Sequence, residues 1–324
     1  MRTKTKIWLI IASILMFSGV VIFGGLMMML KWDFSKLSTA KYETNFYEIT
    51  ENFDDVSIKS DTADIKFVLS NEGKCKVECY ETVNSKHSVI VEDGKLDIKV
   101  TDTRTLGDFI GNIGLNFYSP SITVYLTKEE YASLYIKEST GDIQIPRDFS
   151  FGNVDISLST GDVDFSASAT GEIKIKASTG DITIANISAE YLDLRVSTGI
   201  IKLEGSRCDE DIKIGVTTGR ASLTDVCCEN LTSVGSTGDI FLKNVIVNGR
   251  LNIERSTGNV KFDGCDSTEI CVKTDTGDVT GTLLSEKVFI AKTNTGRVRV
   301  PNSVTAGRCE VTTDTGDIKF EIIK

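Results

Sequence analysis

The sequence predicts an all-β protein: a parallel β-solenoid (β-helix) of about ten 19–20-residue coils, preceded by one N-terminal transmembrane helix. Three observations predict this architecture. A Thr-Gly pair recurs every 19 or 20 residues from Thr140 to Gly316, apolar and polar residues alternate around each pair, and residues 7–30 carry no charge. A fixed period near 20 residues is typical of a solenoid, and alternation with a period of two is typical of half-buried strands.

The uncharged run at residues 7–30 reads IWLIIASILMFSGVVIFGGLMMML. As a helix it would be about 36 Å long, which is enough to cross a bilayer with some tilt. Three basic residues precede the run, so we expect residues 1–6 to be a cytoplasmic tail and the remainder to be extracellular. A cleaved signal peptide is the alternative. The run is longer than a usual signal-peptide core and lacks an A-x-A-like site at its end, so a single-pass anchor in the cell membrane is favoured.

The remainder divides into three expected regions. Residues 31–41 are a linker, residues 42–137 are a membrane-proximal β cap with a degenerate first coil, and residues 138–324 are the regular solenoid. A solenoid needs a cap because its end coils otherwise leave their apolar core open.

Within the cap, the stretch SDTADIKF at 60–67 repeats the corner pattern with Ala63 in place of glycine. The stretches KLDIKV (95–100) and SITVYL (121–126) alternate as strands do. The insert LGDFIGNIGLNF (106–117) separates them.

Each Thr-Gly pair predicts a tight corner, because glycine has no Cβ and takes positive φ at low steric cost. The threonines are expected to stack as a hydroxyl ladder. Residues two and four after the glycine, such as Val298 and Val300, are expected to face the core, as are those five and seven before it. The predicted structural corner glycines are Gly141, Gly161, Gly180, Gly199, Gly219, Gly238, Gly258, Gly277, Gly296 and Gly316.

The residue after the corner glycine is acidic in six coils, and these residues predict an exposed column. Carboxylates about 4.8 Å apart are a candidate Ca²⁺ site. A structural ladder is favoured instead, because Arg220 and Arg297 share the column and the spacing does not match calcium-binding nonapeptides. The acidic column consists of Asp142, Asp162, Asp181, Asp239, Asp278 and Asp317.

Composition excludes several functions. The chain has 324 residues, 40% of them hydrophobic and 25% charged, with a formal net charge of -10. This acidic balance argues against a nucleic-acid partner. The single histidine, His87, is expected in a solvated loop, and one histidine argues against His-rich metal sites. No nucleophile elbow, phosphate loop or metal-ligand motif occurs, so we expect no enzyme activity, catalytic residue, metal or cofactor.

The eight cysteines allow disulfides outside the cell. Cys208 and Cys227 are one coil apart and could face each other, although in-register neighbours sit wider than a disulfide prefers. Cys75 and Cys79 are the best local pair. Mostly reduced, core-filling cysteines are favoured.

The anchor, the SDTADIKF start and the serial STGDI coils together resemble the bacterial putative-adhesin domain of unknown function that LiaG-like membrane proteins of Gram-positive bacteria carry. The resemblance covers roughly residues 45–324. It implies a β-solenoid ectodomain on the cell surface and brings no catalytic residues.

The leading functional hypothesis is a non-catalytic binding or adhesion module whose partner is an extracellular polymer or protein. A second hypothesis is a signalling or scaffold partner in an envelope-stress system, in which residues 7–30 contact other membrane proteins. A polysaccharide-active β-helix enzyme is the third. End-to-end association of solenoids is a further expectation, because the C-terminal DIKFEIIK has no obvious cap.

Overall fold

A long apolar helix opens the structure, a computed structural model that describes residues 3–33, 41–102, 119–304 and 306–323. Helix α1 spans Thr3–Met29 and starts four residues before the uncharged run. Residues Thr5–Met29 are long and apolar enough to cross a membrane, and none of the most apolar window is buried in the protein. Most of the predicted linker and the whole insert at 106–117 lie outside the described residues.

The described chain after α1 is built from short strands. They are β1 Tyr42–Ile49, β2 Asp55–Thr62, β3 Asp64–Leu69, β4 Cys75–Thr82, β5 Ser85–Glu92, β6 Lys95–Asp102, β7 Ser121–Leu126, β8 Glu130–Thr140, β9 Ile143–Ile145, β10 Ser150–Thr160, β11 Val163–Phe165, β12 Ser168–Ala169, β13 Glu172–Thr179, β14 Ile182–Ala185, β15 Ser188–Ala189, β16 Tyr191–Glu204, β17 Arg207–Cys208, β18 Asp211–Cys228, β19 Asn230–Thr237, β20 Ile240–Thr257, β21 Val260–Thr276, β22 Val279–Leu283, β23 Lys287–Thr295, β24 Val298–Arg299, β25 Gly307–Thr315 and β26 Ile318–Ile322.

Each coil has a strand before the corner, a strand after it and a short third side. In one coil these are β13, β14 and β15, and each pairs in parallel with its counterpart in the next coil. Alternate side chains face inward, so that Ile182 and Ile184 are fully buried. The burial of one such side chain stabilises the fold by roughly 1.5–3 kcal/mol. The predicted parallel solenoid with one N-terminal apolar helix is confirmed.

The threonines before the corners lie in register from coil to coil, as Thr160 does between Thr140 and Thr179. The register extends into the cap, where Thr62 pairs with Thr140. The stretch around Ala63 therefore forms a corner directly beneath the one at Gly141.

The cap adds antiparallel strands to this stack. Strand β1 pairs with β4, β4 with β7, and β5 with β6, all antiparallel. Both 95–100 and 121–126 are strands, as their alternation predicts.

The coils at both ends are stacked out of chain order. At the N-terminal end, β2 lies between β6 and β8, and β3 lies between β7 and β9. At the C-terminal end, β25 lies between β21 and β23, and β26 lies between β22 and β24. We call these two regions the interleaved ends. At the N-terminal end β6 and β7 cover β2 and β3, and at the C-terminal end β23 and β24 cover β25 and β26.

The coils at the C-terminal end therefore do not stack in the order of the sequence. The last strand of DIKFEIIK is covered by β24, and the coil of Gly296 is outermost. This arrangement leaves the predicted core residue Val298 42% exposed, because no further coil covers it.

The cysteines are all free thiols. Cys75 and Cys79 stand four residues apart in the extended strand β4, or about 13 Å along the strand, which is too far for a disulfide. Cys227 pairs with Arg207 rather than with Cys208. Burial raises the pKa of the Cys208 thiol to about 11.

Candidate ligand-binding groove

The corner glycines stand where a side chain would collide with the preceding coil. Gly238 has a φ of 127°, and a Cβ added there would lie 1.5 Å from the carbonyl oxygen of Gly219. Gly161 shows the same geometry against Gly141, with a distance of 2.1 Å. The close approach of successive corners therefore requires glycine for steric reasons as well as for its φ.

The acidic column has a definite partner, which is the backbone of the next coil. Asp142 Oδ1 accepts a hydrogen bond from the backbone N–H of Asp162 at 2.9 Å, and Asp162 Oδ1 accepts one from Asp181 at 2.8 Å. Asn259 takes the same role by accepting from Asp278 at 2.9 Å. Each step of this ladder needs one acceptor oxygen, and an amide supplies it as well as a carboxylate does. Ile200 and Arg220 offer none, so the ladder stops at Ile200 and resumes where Asp239 accepts from Asn259 at 2.8 Å.

The same ladder reaches both interleaved ends. Asp64 Oδ1, at the Ala63 corner, accepts from the backbone of Asp142 at 3.0 Å. Asp278 accepts from Asp317 at 2.7 Å, and Asp317 accepts from Arg297 at 2.8 Å. The order of these bonds follows the spatial order of the coils rather than their order in sequence.

A long groove runs along one face of the solenoid, beside the strands that precede the corners. Its volume is about 1060 Å³, and its lining comes from eight coils, from Lys137 to Asp275. Seven steps of about 4.8 Å give a length near 34 Å.

Three successive positions of each coil line most of the groove. The second position before the glycine is exposed and carries a hydroxyl in seven coils, as in Ser178 and Ser197. The third position is buried, and in the central coils it is small or apolar, as in Ala177 and Val196. We infer that the third positions form the floor of the groove and the exposed neighbours form its rims.

The groove is more basic than the chain as a whole. Six basic and four acidic side chains line it, whereas the chain carries a formal net charge of -10. The six basic residues are Lys137, Lys176, Arg195, Lys213, Arg255 and Lys273.

Two charged side chains interrupt the apolar floor. Glu138 is 2% exposed, and burial raises the pKa of its carboxyl group to about 7, against the hydrogen bonds from the backbone of Thr140 and Ser139. Arg255 is 5% exposed, and burial lowers the pKa of its guanidinium to about 10. They lie six coils apart, about 29 Å, which is too far for them to pair.

Arg255 occupies a space that its neighbours leave for it. Its Nη2 donates to Ser233 Oγ at 2.8 Å, at a position where other coils place an apolar residue. A Cβ on Gly235 would lie 1.8 Å from Nη1 of Arg255. Among the described residues, Nε and Nη1 of Arg255 have no hydrogen-bond partner.

The expectation of a solvated loop histidine is wrong. His87 lies in strand β5, faces inward and is 5% exposed. Its Nδ1 lies 2.6 Å from Glu81 Oε2, and its Nε2 lies 3.0 Å from Ser60 Oγ. Asn45 donates to the second oxygen of Glu81 at 2.7 Å.

This serine, histidine and carboxylate follow the order of a nucleophile relay. The Ser60 hydroxyl also lies beside the carboxyl group of Glu138 and acts to lower the pKa of that group, against the larger effect of burial. Glu81 is fully buried and Ser60 is 6% exposed. The contributing strands belong to both the cap and the first coil, and a satisfied buried network fixes one arrangement of such elements. We therefore interpret the network as the junction between cap and solenoid.

Cys79, Glu81 and His87 offer ligand atoms within 4.8 Å of one another, which makes them the candidate metal cluster among the described residues. Burial raises the pKa of the Cys79 thiol to about 12, so the thiol stays protonated at neutral pH. The Glu81 oxygen is occupied by the ring and the backbone N–H of His87. These hydrogen bonds explain the cluster without an ion.

Sequence reasoning missed the groove and Arg255. The expected core positions include the residues five and seven before the glycine but not the column of residues three before it. In that column Arg255 follows Leu158, Ala177, Val196 and Val216, and a charge among apolar residues is the signal that could have identified it.

No curated protein matches this chain. Among solved structures, one described as a putative adhesin from Parabacteroides distasonis ATCC 8503 is 12% identical, with a TM-score of 0.47 over 87% of this chain and 98% of that one. A putative adhesin from Parabacteroides merdae ATCC 43184 is 14% identical, with a TM-score of 0.43 over 88% and 98%. A putative lipid binding protein from Parabacteroides distasonis ATCC 8503 is 15% identical, with a TM-score of 0.40 over 74% and 97%.

A family model described as Toastrack DUF4097 matches residues 53–219 and 205–324. The two matches together span the cap from residue 53 and the whole solenoid. The chain therefore belongs to the Toastrack DUF4097 family.

Proposed function

We propose that this protein is a membrane-anchored, non-catalytic binding module that displays its solenoid outside the cell and holds an extended polymer in the groove. The observation that carries the proposal is the groove itself, with a floor that is apolar in its central coils and a hydroxyl-bearing rim in seven of its eight coils. A regular row of hydroxyl groups suits a ligand that is itself a chain of repeating units, because each unit meets the same hydrogen-bonding group.

Helix α1 supports the anchoring part of the proposal. It is apolar over Thr5–Met29, and none of its most apolar window is buried in the protein. The basic residues before it favour a cytoplasmic N-terminus by the positive-inside rule. The solenoid would then stand on the opposite side of the membrane.

The test measures polymer binding by the full chain in lipid nanodiscs, with a panel of neutral and anionic polysaccharides and affinity electrophoresis. Ser197→Trp places a large ring on the exposed rim of the groove and should abolish binding. Ser188→Trp places the same ring on the third side of the same coil, outside the groove, and should leave binding unchanged. Equal binding by both variants would overturn the groove as the binding site.

A further inference from the structure

Arg255 is a buried cation. Its guanidinium makes one hydrogen bond, to Ser233, and no ion pair involving it exists in the described part of the chain. A buried charge without a counter-ion destabilises the folded state, whereas a partner of opposite charge recovers much of that cost. The free protein therefore bears a cost that an anionic ligand would remove.

The surroundings of Arg255 are shaped for it. Gly235 has no positive φ that would require glycine, but a Cβ there would lie 1.8 Å from Nη1 of Arg255 and 2.3 Å from the carbonyl oxygen of Val216, so both neighbours exclude a side chain. Gly235 is half-buried and lines the groove, so no side chain at this position stands between the groove and the guanidinium. Ser233 supplies a hydroxyl where the other coils hold an aliphatic residue.

The guanidinium of Arg255 determines which chemical group of a ligand the site would accept. Its planar fork of N–H donors matches the two oxygens of a carboxylate or a phosphate, and its Nε and Nη1 are the unpartnered atoms. At the same end of the groove the exposed side chains carry both signs, because Lys273 stands beside Glu254 and Asp275, so the selectivity for an anion rests on the buried guanidinium.

We propose that Arg255, together with Ser233 and Gly235, forms a subsite for a carboxylate or phosphate group on the polymer that the groove binds. This inference rests on the proposed function and adds the ligand class: an anionic polymer held at one fixed point along the groove. The hydroxyl rim contacts its repeating units, and Arg255 fixes its register.

The test uses the full chain in nanodiscs with three polymers: polygalacturonate as the carboxylate probe, inorganic polyphosphate as the phosphate probe, and dextran as the neutral control. We expect the wild type to bind one polyanion at least tenfold more tightly than dextran. Arg255→Met should lose at least tenfold of that affinity. Arg207→Met removes an exposed arginine outside the groove and should change the affinity less than twofold.

Thermal unfolding gives a second readout, in which the variant is expected to be more stable than the wild type. Without polymer, Arg255→Met should unfold at a higher temperature than the wild type, because an unpaired buried charge has been replaced by an apolar side chain of similar length. Arg255→Lys keeps the positive charge but not the planar fork of N–H donors, so it should fold and bind the polyanion weakly. It replaces Arg255→Met as the test variant if Arg255→Met does not fold.

Retained polyanion binding by Arg255→Met, or by Arg255→Lys if the first variant is unfolded, would overturn the subsite. So would a wild type that binds dextran as well as it binds either polyanion. In that second case, loss of dextran binding by Ser197→Trp would leave the proposed function standing while this inference fails. A wild type that binds none of the three polymers overturns the subsite directly.

Discussion

The carboxylate of Asp142 holds the backbone of Asp162 across two neighbouring coils, with 2.9 Å between Oδ1 and the amide nitrogen. The same bond recurs wherever the column carries aspartate or asparagine, including at Asp64 in the cap. The acidic column is therefore accounted for by corner hydrogen bonds, without an ion.

The first prediction concerns this bond. Asp162→Ala leaves the backbone N–H of Asp181 without its acceptor and should lower the free energy of unfolding by about 1 kcal/mol. Asp162→Asn keeps the acceptor and should be nearly neutral. Urea unfolding of both variants, with and without Ca²⁺, measures the difference. An equal loss in both variants, or a shift on adding Ca²⁺, would show that the charge matters rather than the acceptor.

The second prediction concerns the corner. Gly238→Val forces a side chain to within 1.5 Å of the Gly219 carbonyl at a φ of 127° and should cost more than about 3 kcal/mol. Gly73→Ala is the control, because its φ is also positive but nothing lies within 4 Å of the added Cβ. That change should cost only about 1–2 kcal/mol. A comparable cost for both would mean that φ, rather than the approach of the neighbouring coil, sets the requirement.

The third prediction concerns the C-terminal interleaved end. The Phe320 ring lies 5.5 Å from Phe262 and 5.4 Å from Phe289, and Gly281 leaves the space between the first two. Phe320→Ala should cost about 3–5 kcal/mol. Because the coil carrying Phe320 is the inner one, amides of both terminal coils should lose hydrogen-exchange protection together.

The control for that measurement is Ile290→Ala, since Ile290 is 49% exposed in the outer coil. We expect a change within about 0.5 kcal/mol and no loss of protection. Protection of β23 that survives Phe320→Ala would contradict the interleaved order.

The fourth prediction is a pH dependence that belongs to Glu138. Burial raises the pKa of its carboxyl group from 4.5 to about 7, so between these values the folded protein binds more protons than the unfolded chain. Its contribution to stability is therefore present at low pH and is lost as the pH rises through about 7. Glu138→Gln should reduce the fall in unfolding free energy between pH 5 and pH 8.

Glu254→Gln, which changes an exposed acid in the same groove, is the matched control and should leave the wild-type pH dependence intact. If Glu138→Gln also leaves the pH dependence of the unfolding free energy unchanged, the buried carboxyl group of the wild type is ionised throughout this range.

Most of the solenoid could be predicted because each coil carries its own signal. Gly180 indicates a corner, and the alternation of apolar and polar residues around Ile182 indicates a strand with one buried face. The partner of the acidic column could not be predicted, since that partner is a backbone N–H, which no letter of the sequence marks.

The interleaved ends and the buried histidine escaped prediction for a different reason. The corners at Gly296 and Gly316 are spaced like all the others, so the period does not say which of the two coils touches Gly277. His87 meets Ser60, 27 residues away, through strand pairing in the cap. A single sequence carries the types of these residues but not the long-range pairing that brings them together.

The C-terminal interleaved end also sets an order of assembly. In the described chain, strands β23 and β24 pair with β25 and β26, which come later in the sequence. Residues 287–299 therefore precede the strands against which they lie. The pairing of β25 and β26 with β21 and β22 has to be in place before β23 and β24 can close over that end.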